Sequence, residues 1–141
     1  MNVYFVSLLC RTNATPWSSA EALFQAIIDN DMEKARVMLV EGGVSADQYS
    51  QDELHMTPLH YAVDRGNIEM TQLLLDNGAD VNCVDADGNI ALYNAIICEH
   101  EDIIPLLMEA KSDVHKLNNE NTCIATMSDI PASILPLLNL K

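Results

Sequence analysis

Shifted by 33 residues, this chain lies back on itself. Thr57-Pro58-Leu59-His60-Tyr61-Ala62 falls on Ile90-Ala91-Leu92-Tyr93-Asn94-Ala95, and Leu73-Leu74-Leu75 falls on Leu106-Leu107-Met108. Ala79-Asp80-Val81-Asn82 falls on Ser112-Asp113-Val114-His115, and a second shift sets Asp87-Gly88 on Glu120-Asn121. Backwards, Leu59, Ala62 and Leu75 match Leu23, Ala26 and Leu39 at an offset of 36. Three extra residues are therefore expected within 47–56. Near the C-terminus Ser133–Lys141 echoes the segment from Asp102 at an offset of 31, so the last unit is two residues short. A period of this length implies one supersecondary unit laid down repeatedly, each copy hiding its apolar side only against its neighbours.

The residues say what the unit is. Thr57 can cap a helix start, and Pro58 then sits at the first helical position, where its missing N–H costs nothing. Leu59, Ala62 and Val63 form an apolar stripe at helical spacing. Gly66 suits the left-handed backbone that ends this helix. Asn67 caps a second helix with Ile68, Leu73 and Leu74 towards the core, and Asn77-Gly78 closes it. Asp80–Gly88 reads as a turn-rich connector with Asp87-Gly88 at its tip. In the first unit Ser18 and Glu21 have capping-box spacing, and helices are expected over 20–28 and 32–39, closed by Gly42-Gly43. The acidic run Asp29, Asp31 and Glu33 fits a helix start.

Some positions break the pattern. His55 and Glu99 stand where glycine is usual, at a cost of about 1 kcal/mol each. Pro105 and Pro136 fall inside expected second helices, where proline costs about 3 kcal/mol. Late starts capped by Asp102 and Ser133 avoid that cost and shorten both helices. The apolar run Ala132–Lys141 is expected to pack on the third unit.

The period and the Thr-Pro-Leu-His-Tyr-Ala run resemble the ankyrin repeat. The fold that this implies is an all-α ankyrin-repeat solenoid of about four helix-turn-helix units with β-turn connectors. The expected units are 18–48, 49–84, 85–117 and 118–141, after a poorly ordered leader at 1–17. Further stretches, LHYAVDRGN (59–67), ADVNCVDADGNIAL (79–92) and AIICEHEDI (95–103), resemble the ankyrin half of ankyrin-containing acyl-CoA-binding proteins. That likeness covers 21–138. It implies a fragment or isoform without the acyl-CoA-binding module, so acyl-CoA would be reached only through a missing domain.

Net charge is −14, from 21 acids against 7 Lys and Arg. Nucleic-acid binders need a basic face, so nucleic acid is excluded as an expected partner, and anionic membrane surfaces are disfavoured likewise. The apolar run Val3–Cys10 is too short to span a bilayer, and no basic segment marks it as a secretory signal. Asn13-Ala14-Thr15 is formally a glycosylation acceptor, followed at once by Pro16. Cys10, Cys83, Cys98 and Cys123 show no metal-ligand or disulfide spacing, which fits reduced thiols in the cytoplasm or nucleus. Neither nucleophile motifs nor phosphate loops occur, His60 reads as a turn-bonding residue, and no enzyme activity, metal or cofactor is expected. The expected function is protein–protein interaction. By repeat position the binding surface comprises Glu53, Leu54, Met56, Asp64, Arg65, Asp87, Asn89 and Cys98, suited to a protein partner with a basic rim and an apolar anchor.

Overall fold

The computed structural model describes residues 20–140. The leader expected at 1–17 and the Ser18 cap lie outside the described residues. Six α-helices follow in antiparallel pairs: α1 (Ala20–Ile28) with α2 (Met32–Val40), α3 (Pro58–Asp64) with α4 (Ile68–Asp76), and α5 (Ala91–Ile97) with α6 (Ile104–Glu109). Two 3-10 turns, Ile124–Thr126 and Leu135–Leu138, complete the described residues. First helices stack in the row α1, α3, α5, and second helices α2 and α4 stack behind them. The last 3-10 turn packs on α6.

Equivalent residues fill equivalent space. Leu23, Leu59 and Leu92 are each at most 1% exposed, and Ala26, Ala62 and Ala95 are fully buried. The alanines let adjacent first helices approach, while each leucine contributes about 1.5–3 kcal/mol of burial. Asp31 and Asn67 cap α2 and α4 by accepting the N–H groups of Lys34 and Met70 at 3.0 and 2.9 Å. Ile68 does not face the core as expected: it is 42% exposed, and Met70 and Thr71 are buried instead. Among the described residues the connectors contribute no strand beyond a single antiparallel bridge, Val84 to Ile90.

The three extra residues are divided between two places. Gly43 and Gly78 both have positive φ, yet two residues separate α2 from Gly43 whereas one separates α4 from Gly78. The other two residues lengthen the first tip. Its closing bond runs from the Ser50 N–H to the Met56 carbonyl, whereas the next two tips close from Asp85 to Asn89 and from Asn118 to Thr122.

Left-handed backbone recurs at matching positions. The helix-to-helix turns use Asn30, Gly66 and Glu99 at φ of 56°, 68° and 58°, and the tips use His55, Gly88 and Asn121 at 47°, 81° and 58°. The strain expected at His55 and Glu99 is thus located in the backbone. Replacing Glu99 by glycine is expected to raise stability by about 1 kcal/mol, read as a rise of several degrees in the melting temperature.

Pro105 and Pro136 both lie in first turns, and both second helices are short. The N-caps, however, are Ile103 and Ile134, not Asp102 and Ser133, and neither makes a side-chain cap bond. Ser133 instead donates to Glu101 at 2.5 Å. The fourth unit therefore does not form a helix pair. Pro131 disfavours α backbone at Ile130, within a unit already two residues short, whereas Pro136, like Pro105 in α6, sits in a first turn where its missing N–H costs nothing. It still covers the end of the stack: Ile134 and Leu138 are buried, and Leu135 remains 45% exposed.

Candidate protein-binding face

The sequence-derived surface residues stand on the tip loops and at the ends of the first helices. Bonds between successive units hold connectors and tips together. Asp80 donates its N–H to Asp47 Oδ1 at 2.7 Å, and one unit later Asp113 donates to Asn82 Oδ1 at 2.8 Å. Tip joins tip in the same way: the N–H of Ala86 donates to the Leu54 carbonyl and that of Asn119 to the Asp87 carbonyl, both at 3.0 Å. Backbone bonds of this kind hold the tips in register before any partner arrives.

His60 sets the depth of the second tip. Its ring is 1% exposed. Nδ1 lies 2.8 Å from the Thr57 hydroxyl and accepts the Thr57 N–H at 3.3 Å, while Nε2 donates to the Asn89 carbonyl at 3.0 Å. These roles require the neutral ring with its proton on Nε2. Burial lowers the His60 pKa, against smaller raising effects from the Asn89 carbonyl and Asp85.

The sequence-derived surface residues separate into two groups. Glu53, Leu54, Asp64, Arg65, Asp87 and Cys98 are exposed. Met56 is buried at 8% and Asn89 is half-buried. Met56 gives its carbonyl to Ser50, and Asn89 holds His60 and accepts from Asn118 Nδ2 at 3.0 Å. Both residues build the tips, so neither offers a free side chain. Cys98 Sγ donates to Asp64 Oδ1 at 3.6 Å, and partial desolvation and then the Asp64 carboxylate push its thiol pKa up. The pair links the ends of α3 and α5 across the face.

The repeat positions alone did not single out the aromatic corner beside the first tip. Phe24 and Tyr61 meet edge to face with centroids 5.3 Å apart, and Tyr49 stacks on His55 at 4.2 Å. The Tyr61 hydroxyl donates to Asp52 Oδ2 at 2.7 Å. Asp52 Oδ1 accepts from the Ser50 hydroxyl at 2.6 Å and from the N–H groups of Leu54 and His55. Those donors, Ser50 first and then Tyr61, hold the Asp52 pKa below the ordinary carboxylate value. Between α1 and this loop lies an open cavity of about 210 Å³. The signal available in the sequence was the run Tyr49-Ser50-Gln51-Asp52 inside the lengthened loop.

Among the described residues no helix is long and apolar enough to cross a membrane. A family model described as ankyrin repeats (3 copies) matches residues 4–85 and 23–119. A rice protein (Oryza sativa subsp. japonica) named as an E3 ubiquitin-protein ligase is 33% identical over 104 residues, covering 74% of this chain and 21% of that protein. Rabankyrin-5 of Homo sapiens is 31% identical over 110 residues, covering 71% of this chain and 9% of its own length. The solved ankyrin repeat domain of Bcl-3, a member of the IkappaB protein family, superposes with a TM-score of 0.77 at 26% identity, covering 83% of this chain and 50% of that one. This chain thus spans about a fifth or less of the two curated relatives. Neither bears an acyl-CoA-binding name, and nothing in these likenesses supports that narrower kinship. A repeated helix pair with a buried Thr57-Pro58-Leu59-His60 turn, matched by this model over most of the sequence, places the chain in the ankyrin-repeat family.

Proposed function

We propose that this chain is a non-enzymatic protein-interaction scaffold whose tip-and-first-helix face receives a partner with a basic surface. The observation that supports this most is the composition of the pre-aligned face. Glu21, Asp52, Glu53, Asp64 and Asp87 supply carboxylates along it beside the cation of Arg65, and Leu54 and Ile97 stand among them, each 57% exposed. A charged rim around isolated apolar anchors gives specificity and fast association with a cationic surface. Ligase activity belongs by name to a far longer relative and is not carried over. Acyl-CoA binding rests only on the residues that first suggested it and is not proposed.

The test compares the full wild-type chain with Asp64→Lys/Asp87→Lys, both immobilised, with retained proteins quantified by mass spectrometry. Both carboxylates are exposed, so the circular dichroism melt is expected to stay unchanged while partner retention falls by about tenfold or more. Unchanged retention overturns the reading. A melt that collapses together with retention assigns the two residues to the fold.

A further inference from the structure

We propose that the cavity between α1 and the first tip is a socket for one arginine side chain of the partner. This rests on the reading of the face as a protein-binding surface and names the residue it captures. Phe24, Ile28, Tyr49 and Tyr61 line the cavity together with Glu21 and Asp52. Its volume of about 210 Å³ is below the roughly 300–1,000 Å³ of small-molecule sites, and matches a single side chain better.

The lining divides by chemistry. Ile28, 39% exposed, offers apolar surface to a long methylene stem. The tyrosine rings offer π surface to a flat cation, and a guanidinium stacks on such rings where an ammonium only approaches as a point charge. Glu21 and Asp52 supply negative charge. Asp52 is held ionised by the donors already bound to it, and it keeps the Tyr61 hydroxyl fixed at the wall. The two additional residues of the first tip bring Tyr49, Ser50 and Asp52 to α1, and the shorter tips of later units have no counterpart of this loop. Charge complementarity on a chain of net charge −14 selects a cationic occupant over an apolar one.

The test titrates the 15N-labelled full-length chain at low salt with N-acetyl-arginine amide, its neutral isostere N-acetyl-citrulline amide, and N-acetyl-lysine amide. The expected result is saturable shifts for arginine, confined to amides around Phe24, Ile28, Tyr49–Asp52 and Tyr61. Glu21→Gln is expected to weaken binding about two- to fivefold, while Glu109→Gln, an exposed carboxylate at the end of α6 and outside the cavity lining, leaves it unchanged. Equal binding of citrulline removes the cation from the argument, equal binding of lysine removes the stacking, and shifts scattered over all acidic residues remove the socket. Failure here leaves the wider scaffold reading standing if Asp64→Lys/Asp87→Lys still abolishes partner retention.

Discussion

Leu92→Ala lowers the unfolding free energy by about 2–5 kcal/mol, the largest loss expected from a single substitution in this chain. Leu92 is fully buried in α5, which stacks on α3 on one side and pairs with α6 on the other. Truncation removes burial and leaves a cavity that two flanking units cannot both close. Among the described residues α5 and α6 form the last full helix pair, with two 3-10 turns beyond it. Urea unfolding followed by circular dichroism checks the value through a lower midpoint at an unchanged slope. A loss below 1 kcal/mol would show that the units are not coupled through this residue.

His60→Ala is expected to cost about 2–4 kcal/mol. It strands the Thr57 N–H, at roughly 1–3 kcal/mol, takes one of two bonds from the Asn89 carbonyl, which still accepts the Asp85 N–H, and opens a space inside the second tip. The wild-type ring also makes stability depend on pH. Its pKa is lowered on folding from the ordinary 6.5. As pH falls below that value the unfolded chain takes up a proton that the folded chain refuses, so stability present above pH 6.5 declines as pH falls toward the folded pKa. The melting temperature is therefore expected to drop between pH 7.5 and pH 5, and His60→Gln should flatten that drop. Asp52 acts in a separate window, below its ordinary value of 3.8, because its pKa is also lowered and its contribution is lost only as the carboxylate protonates. A melt that is flat from pH 7.5 to pH 5 in wild type would contradict the His60 assignment.

The repeat made the helix pairs legible. Helices expected over 20–28 and 32–39 are found at Ala20–Ile28 and Met32–Val40, because Leu23, Ala26 and Leu39 carry the same spacing as Leu59, Ala62 and Leu75. Spacing fails where length changes. An offset of 36 counts three extra residues, all expected within 47–56, but Glu41-Gly42-Gly43 absorbs one, because a second glycine there tolerates the longer exit from α2. The fourth unit keeps the apolar signature of a helix in Ile134 and Leu138, but it is two residues short and Pro131 restricts the backbone before it, so only 3-10 turns form.

At the proposed surface, exposure was legible to the level of the tips and helix ends. Repeat position put Asp64, Arg65, Asp87 and Cys98 on it, but gave Met56 and Asn89 to the surface as well. Pattern cannot tell a side chain pointing outward at a tip from one that closes it, and both residues close theirs. The aromatic corner lies beyond such reasoning because Phe24, Tyr49 and Tyr61 come from two units and a loop with no equivalent elsewhere among the described residues.

The central claim is that this core exists only between neighbouring units. Native-state hydrogen exchange on the full chain tests it most directly. The account predicts that the slowest amides lie in α3, α4 and α5, where neighbours stand on both sides, with exchange faster toward α1 and fastest in the 3-10 turns after Ile124. Strongest protection in Leu135–Leu138, or protection of one helix pair unaffected by Leu92→Ala in the next, would contradict it.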